Sequence, residues 1–160
     1  MPNTWVVNAS PIILYARIGK LNLMDLLAKD VIVPKKVIEE IEQGALKNNT
    51  AEDAVSWAIK YEQQNITVPV SVERWDLGPG ESQVISFVMQ DKYWAVLDDK
   101  MARRCINAHD LKMIGSLGII LRARVKGFID EARPWLYELR NAGLHVDVGL
   151  VEKALNSIGE

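Results

Sequence analysis

Thr4-Trp5-Val6-Val7-Asn8-Ala9-Ser10-Pro11-Ile12-Ile13 decides the fold. Four residues dominated by apolar and β-branched side chains run into a polar turn. In that turn Ser10 suits a helix N-cap and Pro11 a first helical position. The helix continues through Tyr15, Ala16 and Ile18 and stops at Gly19. The stretch therefore reads as strand, sharp turn, helix.

Working outward, Val31-Ile32-Val33 is a buried strand and Pro34 opens a helix with Val37, Ile38 and Ile41 on its apolar face. Thr50-Ala51-Glu52-Asp53 resembles a capping box and starts a helix reaching about Gln64, and Ile66 to Val70 is read as the next strand. Gly78-Pro79-Gly80 is a rigid turn launching a helix at Glu81. Tyr93 to Leu97 is a further apolar strand, ended by Asp98 and Asp99. A helix over about Lys100 to His109, a short strand at Lys112 to Ile114 and a helix from Gly115-Ser116 to Lys126 follow. Helices over about 131–141 and 148–158 complete the chain. Short apolar strands alternating with helices imply right-handed crossovers and a mainly parallel sheet covered on both faces. The expected fold class is α/β, a three-layer α/β/α sandwich forming one domain over 1–160. The C-terminal helices, about 131–160, are an appendage that packs on the body or on a partner.

The 160 residues carry 19 Lys and Arg against 21 Asp and Glu, with 49% hydrophobic residues. That composition supports a full core and excludes disorder, collagen-like repeats and a disulfide scaffold. Cys105, the single cysteine, reads as a small buried hydrophobe in a reducing compartment. No leader-like h-region and no membrane-length apolar run occur, so the expected location is cytoplasmic, with no membrane partner. The chain has no G-x-G-x-x-G or P-loop, which counts against dinucleotide and NTP binding. His109 and His145 stand among polar loop-like residues without a nucleophile pattern, and are not expected to be catalysts.

In an open parallel sheet the ligand crevice lies beyond the carboxyl ends of the strands. Asn8, Asp98 and Asp99 terminate strands, Glu81 opens a helix and Glu40 lies on a helix following a strand. Carboxylates gathered in one cleft repel one another unless a proton or cation is shared. Oxygen donors of this kind suit Mg²⁺ or Mn²⁺ and metal-assisted phosphodiester hydrolysis. Each residue also has a plainer reading. Glu40 with Glu39 and Glu42 fits a solvated helix face, Glu81 fits a first-turn acid complementing the helix dipole, and one of the two aspartates fits a helix cap. Ser10 and Ser116 read first as N-caps. Between Lys100 and Lys126 seven cations stand against one acid, Asp110. Arg103, Arg104, Arg122 and Arg124 in that stretch are expected to hold a nucleic-acid backbone, or else form ordinary solvated surface.

Taken together, Val6 to Ile13, Val31 to Pro34 with Val37 to Ile41, Gly80-Glu81-Ser82, Val96 to Arg103 and Ile114 to Gly118 resemble a PIN domain over nearly the whole chain. The narrower likeness is to a prokaryotic subfamily of unknown function. The resemblance implies a Rossmann-like nuclease fold with Mg²⁺ or Mn²⁺ held by three or four acids and RNA as substrate. Many relatives are toxins of toxin–antitoxin pairs, so an antitoxin protein is an implied partner; a homodimer is a separate expectation, which the C-terminal helices would serve. Carried over, Glu40 matches the helix acid, with Glu39 next in line. Glu81 matches the acid opening the central helix, and Asp99 the acid after the fourth strand. Asp98 becomes a second ligand or outer group, and Ser10 and Ser116 supporting residues. Asn8, Glu81 and Asp99 would hold the metal. The chain departs from the pattern at Asn8, where PIN nucleases usually carry Asp, and this implies weaker metal binding or a scaffold kept for binding RNA or protein.

Overall fold

In the computed structural model, which describes residues 3–44 and 49–160, the chain alternates strand and helix as follows. Strand β1 (Thr4–Val7) leads through α1 (Ala9–Arg17) and α2 (Asn22–Leu27) to β2 (Asp30–Pro34). Helices α3 (Lys35–Gly44) and α4 (Asn49–Ile59) lead to β3 (Glu62–Gln63). Then come α5 (Val70–Glu73), α6 (Pro79–Asp91), β4 (Trp94–Val96), α7 (Lys100–Ala108) and β5 (Lys112–Ile114). Helices α8 (Ser116–Val125), α9 (Arg133–Ala142) and α10 (Val148–Ser157) close the chain.

The five strands pair in the order β3-β2-β1-β4-β5, every pair parallel. Trp5 aligns with Val31 and Trp94, and Val96 bridges Val7 and Ile114. Successive strand residues point to opposite faces, and Trp5, Val6 and Val7 are all fully buried, so both faces of the sheet are covered. This is the three-layer α/β/α arrangement expected. Helix α6 lies across β1, β2 and β4 with α3 and α7 beside it, while α8 packs against α2 and α9. Cys105 is a fully buried core residue, and burial pushes its thiol pKa up. No helix among the described residues is long and apolar enough to cross a membrane.

The third strand is not where the apolar run Ile66 to Val70 placed it. Strand β3 forms earlier, with Val33 opposite Glu62 and Pro34 opposite Gln63, which ends α4 at Ile59 rather than near Gln64. The backbone of Ile66 is instead held by a side chain: its N–H donates to Gln83 Oε1 (2.9 Å) and its carbonyl accepts from Gln83 Nε2 (2.8 Å). Pro34, lacking an N–H, does not carry the ladder further. Thr50 lies inside α4, not at its cap.

The C-terminal helices pack on the body. Leu136, Leu139, Val151 and Leu155 are buried, and Glu160 accepts from the N–H groups of Ala132 (2.8 Å) and Arg133 (3.2 Å). Arg133 bonds Glu152, and Arg17 Nη1 donates to the Ala142 carbonyl at 2.7 Å.

Candidate active site

The first strand ends at Asn8, whose extended backbone (φ −83°, ψ 167°) makes it the N-cap of α1. Ser10 is therefore the second helical residue and not the cap. The Asn8 N–H donates to the Val96 carbonyl at 3.0 Å, tying the strand end to β4. Its side chain does no capping. The amide turns sideways, and Nδ2 donates to Glu81 Oε1 at 3.3 Å. Oδ1 is buried without a hydrogen-bond partner, and the residue is only 2% exposed. A buried polar atom left unpaired costs about 1–3 kcal/mol, so Oδ1 is an acceptor available to a water or a cation.

Glu81 stands in the first turn of α6, whose N-cap is Gly78 and whose unpaired N–H groups favour a carboxylate. Glu40, in the second turn of α3, faces the same spot. Glu40 and Asn8 meet over Gly80, where a Cβ would lie 3.1 Å from Glu40 Oε2 and 3.3 Å from Asn8 Oδ1. Only a glycine leaves both oxygens undisturbed. Burial, and then the neighbouring Glu81 charge, raise the Glu40 pKa. Glu39, by contrast, pairs with Lys36 at 3.4 Å on the solvent side, so it is Glu40 that joins the cluster.

Asp98 and Asp99 divide their tasks. The Asp98 carboxylate accepts from Ser116 N (2.8 Å) and Ser116 Oγ (2.6 Å), and Arg103 Nη2 lies 3.8 Å away. Gly115 is the N-cap of α8, and the fully buried Ser116 is its first residue, so Ser116 works through Asp98 and not as a cap. Tyr15 Oη donates to the Ser116 carbonyl at 2.7 Å, and burial together with the Asp98 charge holds that phenol well above its ordinary pKa. Asp98 thus fastens β4 to α8. Asp99 is the N-cap of α7, accepting from Ala102 N at 2.9 Å through Oδ2, and it is exposed to the cleft.

These residues line two adjoining parts of one depression. The larger, about 780 Å³, is bordered by Asn8, Glu81, Asp98 and Asp99 and by Lys100 and Arg103. The smaller, about 340 Å³, shares Asn8, Ser10 and Glu81 and adds Glu40 and Arg17. Of the four arginines expected to hold a backbone, only Arg103 reaches the cleft. Arg104 leans on Met101 Sδ (3.8 Å). Arg122 stacks on Trp94, 5.1 Å from the ring centroid, and Arg124 lies 3.4 Å from Glu160. Helix α8 starts at the cleft and leads away at about 1.5 Å per residue, which carries its last turn out of reach. Two groups that local sequence did not single out replace them. Arg17 borders the smaller part, and His145, on the turn after α9, borders the larger. Helix direction gave a signal against Arg122 and Arg124; nothing local marks His145, because a long-range docking brings it there.

A family model for a PIN domain matches residues 4–160. The chain is a PIN domain. No curated protein matches it. The fold is accordingly the nuclease-like one.

Among the described residues of this PIN domain, no three His, Cys, Asp or Glu side chains draw together as a ready-made ligand cluster. The donors present are hard oxygens: two repelling glutamates and an orphaned amide oxygen. That set does not suit a cation caged wholly by protein. It does suit Mg²⁺ or Mn²⁺, because Mg²⁺ keeps several waters and needs only one or two carboxylates.

Proposed function

We propose that this PIN domain is a metal-dependent endoribonuclease. The observation that carries the reading is the unpaired, buried Oδ1 of Asn8 beside Glu40 and Glu81. Asn8, Glu81 and Asp99 would hold Mg²⁺ or Mn²⁺, directly or through water, with Glu40 completing the acidic shell. A bound divalent ion supplies a water of lowered pKa and offsets charge on the phosphate. Lys100 and Arg103, at the start of α7, orient the RNA backbone. Glu40, biased toward its proton by burial and then by the Glu81 charge, is suited to exchange a proton with the attacking or leaving oxygen. Asp98 acts as a positioning residue through Ser116.

The test is cleavage of a mixed-sequence RNA panel with Mn²⁺, Mg²⁺ or EDTA. Metal-dependent cutting that Asp99→Ala and Glu81→Gln abolish is expected. Cutting that persists in EDTA, or in both variants, sinks the proposal.

A second reading rests on the 3.3 Å bond from Asn8 Nδ2 to Glu81. A neutral amide already quiets one carboxylate there, as fits a PIN scaffold that binds RNA or protein without turnover. Cutting by Asn8→Asp alone decides for that reading. A toxin role, with an antitoxin protein, is supported by the resemblance of sequence motifs. Growth arrest on expression, relieved by the product of a neighbouring small reading frame, tests it.

A further inference from the structure

The larger cleft has two unlike walls. One is polar, built from Glu81, Asp99, Lys100 and Arg103. The other is aliphatic, formed by Leu117, Val146 and Leu150 over the buried Leu14 and Leu144. The aliphatic wall is not loose packing material. Leu150 is 49% exposed at the cleft, yet the backbone presenting it is fixed at several points. Arg140 Nε donates to the Val146 carbonyl (3.0 Å), and Leu144 N donates to the Leu139 carbonyl (3.0 Å). Asp147 caps α10 through Leu150 N (2.7 Å), and Arg17 grips the Ala142 carbonyl just before the turn.

A ligand matching both walls needs an anionic part for Lys100 and Arg103 and a flat apolar body for Val146 and Leu150. A nucleotide has both, and the cleft's size lies within the roughly 300–1,000 Å³ of small-molecule sites. A base paired and stacked in a duplex cannot offer its face to such a wall; an unstacked one can.

We propose that the 143–150 segment forms a nucleobase subsite, in which one unpaired RNA base lies against Val146 and Leu150 while its phosphate faces Lys100 and Arg103. The inference rests on the nuclease reading for its ligand class, and His145 at the rim is placed to bond the base edge.

Binding in EDTA of a labelled single-stranded RNA heptamer containing all four bases is compared with that of a ribose-phosphate heptamer lacking bases. The wild-type protein is expected to prefer the base-bearing strand by about tenfold, in the range of one base contact. Leu150→Ser, and separately Val146→Ser with Leu150→Ser, abolish that preference with an unchanged unfolding temperature, while Lys100→Ala weakens both strands alike. Equal binding of both strands by the wild type overturns the subsite, as does a preference that survives in both serine variants. Metal-dependent cleavage is scored separately on the same proteins. Cleavage without base preference refutes the subsite alone, and base preference without cleavage refutes the nuclease alone.

Discussion

Replacing Asn8 by Asp puts a third carboxylate against Glu40 and Glu81 and removes the Nδ2 donor 3.3 Å from Glu81 Oε1. At that separation, two unit charges in an effective dielectric of about 20 repel by about 5 kcal/mol. Taking up a proton relieves the repulsion, and at pH 7.5 this costs an aspartate of ordinary pKa about 5 kcal/mol. Both routes therefore set a similar ceiling. Glu81 is partly exposed, and solvent screening brings the expected destabilisation down to about 2–3 kcal/mol, a fall of roughly 5–10 °C in Tm for a domain of this size. At pH 5 the proton costs only about 1.5 kcal/mol, so the penalty shrinks accordingly. The sign follows from a folded-state pKa raised above the unfolded one: stability is retained at low pH and lost as pH rises. Mn²⁺ at about 100 times its Kd returns about 2.7 kcal/mol. Thermal unfolding at pH 5 and 7.5, with EDTA or Mn²⁺, reads all of this. An apo variant as stable as the wild type at pH 7.5, with no larger Mn²⁺ shift, refutes the claim that these three side chains converge.

Glu40→Gln raises stability at neutral pH by up to about 1 kcal/mol after screening. Because the Glu40 pKa is raised in the fold, the advantage disappears below the ordinary glutamate range; chemical denaturation at pH 4 and 7.5 compares the two. Gly80→Ala gains helix propensity of up to about 1 kcal/mol while its methyl meets Glu40 and Asn8 at 3.1–3.3 Å. Near-unchanged stability with weaker Mn²⁺ binding by calorimetry is expected. Ser116→Ala removes the 2.6 Å bond to Asp98 and costs about 1.5–3 kcal/mol of unfolding free energy, the range for a bond to a charged group. Arg122→Ala leaves RNA affinity within about twofold, whereas Lys100→Ala lowers it and flattens its salt dependence.

The strand-turn-helix at Thr4 to Ile13 was legible because a short apolar strand, a turn and an apolar helix face are local signals, and the residues terminating strands could then be collected by rule. Asn8, Asp98 and Asp99 were collected in this way and Glu81 as the acid opening a helix, and all four border the cleft. Which glutamate of α3 faces the cleft was settled in three dimensions, by the Lys36–Glu39 pair on one side and Gly80 on the other. The division between Asp98 and Asp99 was hidden too, since it depends on Ser116 arriving 18 positions later. The false strand at Ile66 to Val70 had the right composition, but Gln83 satisfied the backbone that a neighbouring strand would have held. Of the arginine stripe only Arg103 borders the cleft: a count along the chain ignores that α8 leads away from it. His145 was dismissed for its neighbours in sequence, and it borders the same cleft as Asn8, Glu81 and Lys100.

That same Gln83 amide has a consequence for how the chain tolerates change. It fastens the return connection to α6 at one residue, where a ladder would impose a pleat repeat along its whole length. An inserted residue between Gln63 and Ile66, or between Thr67 and Pro69, therefore shifts no sheet register. The edge of this sheet is a place where length can drift over evolutionary time while Asn8, Glu40 and Glu81 stay in position.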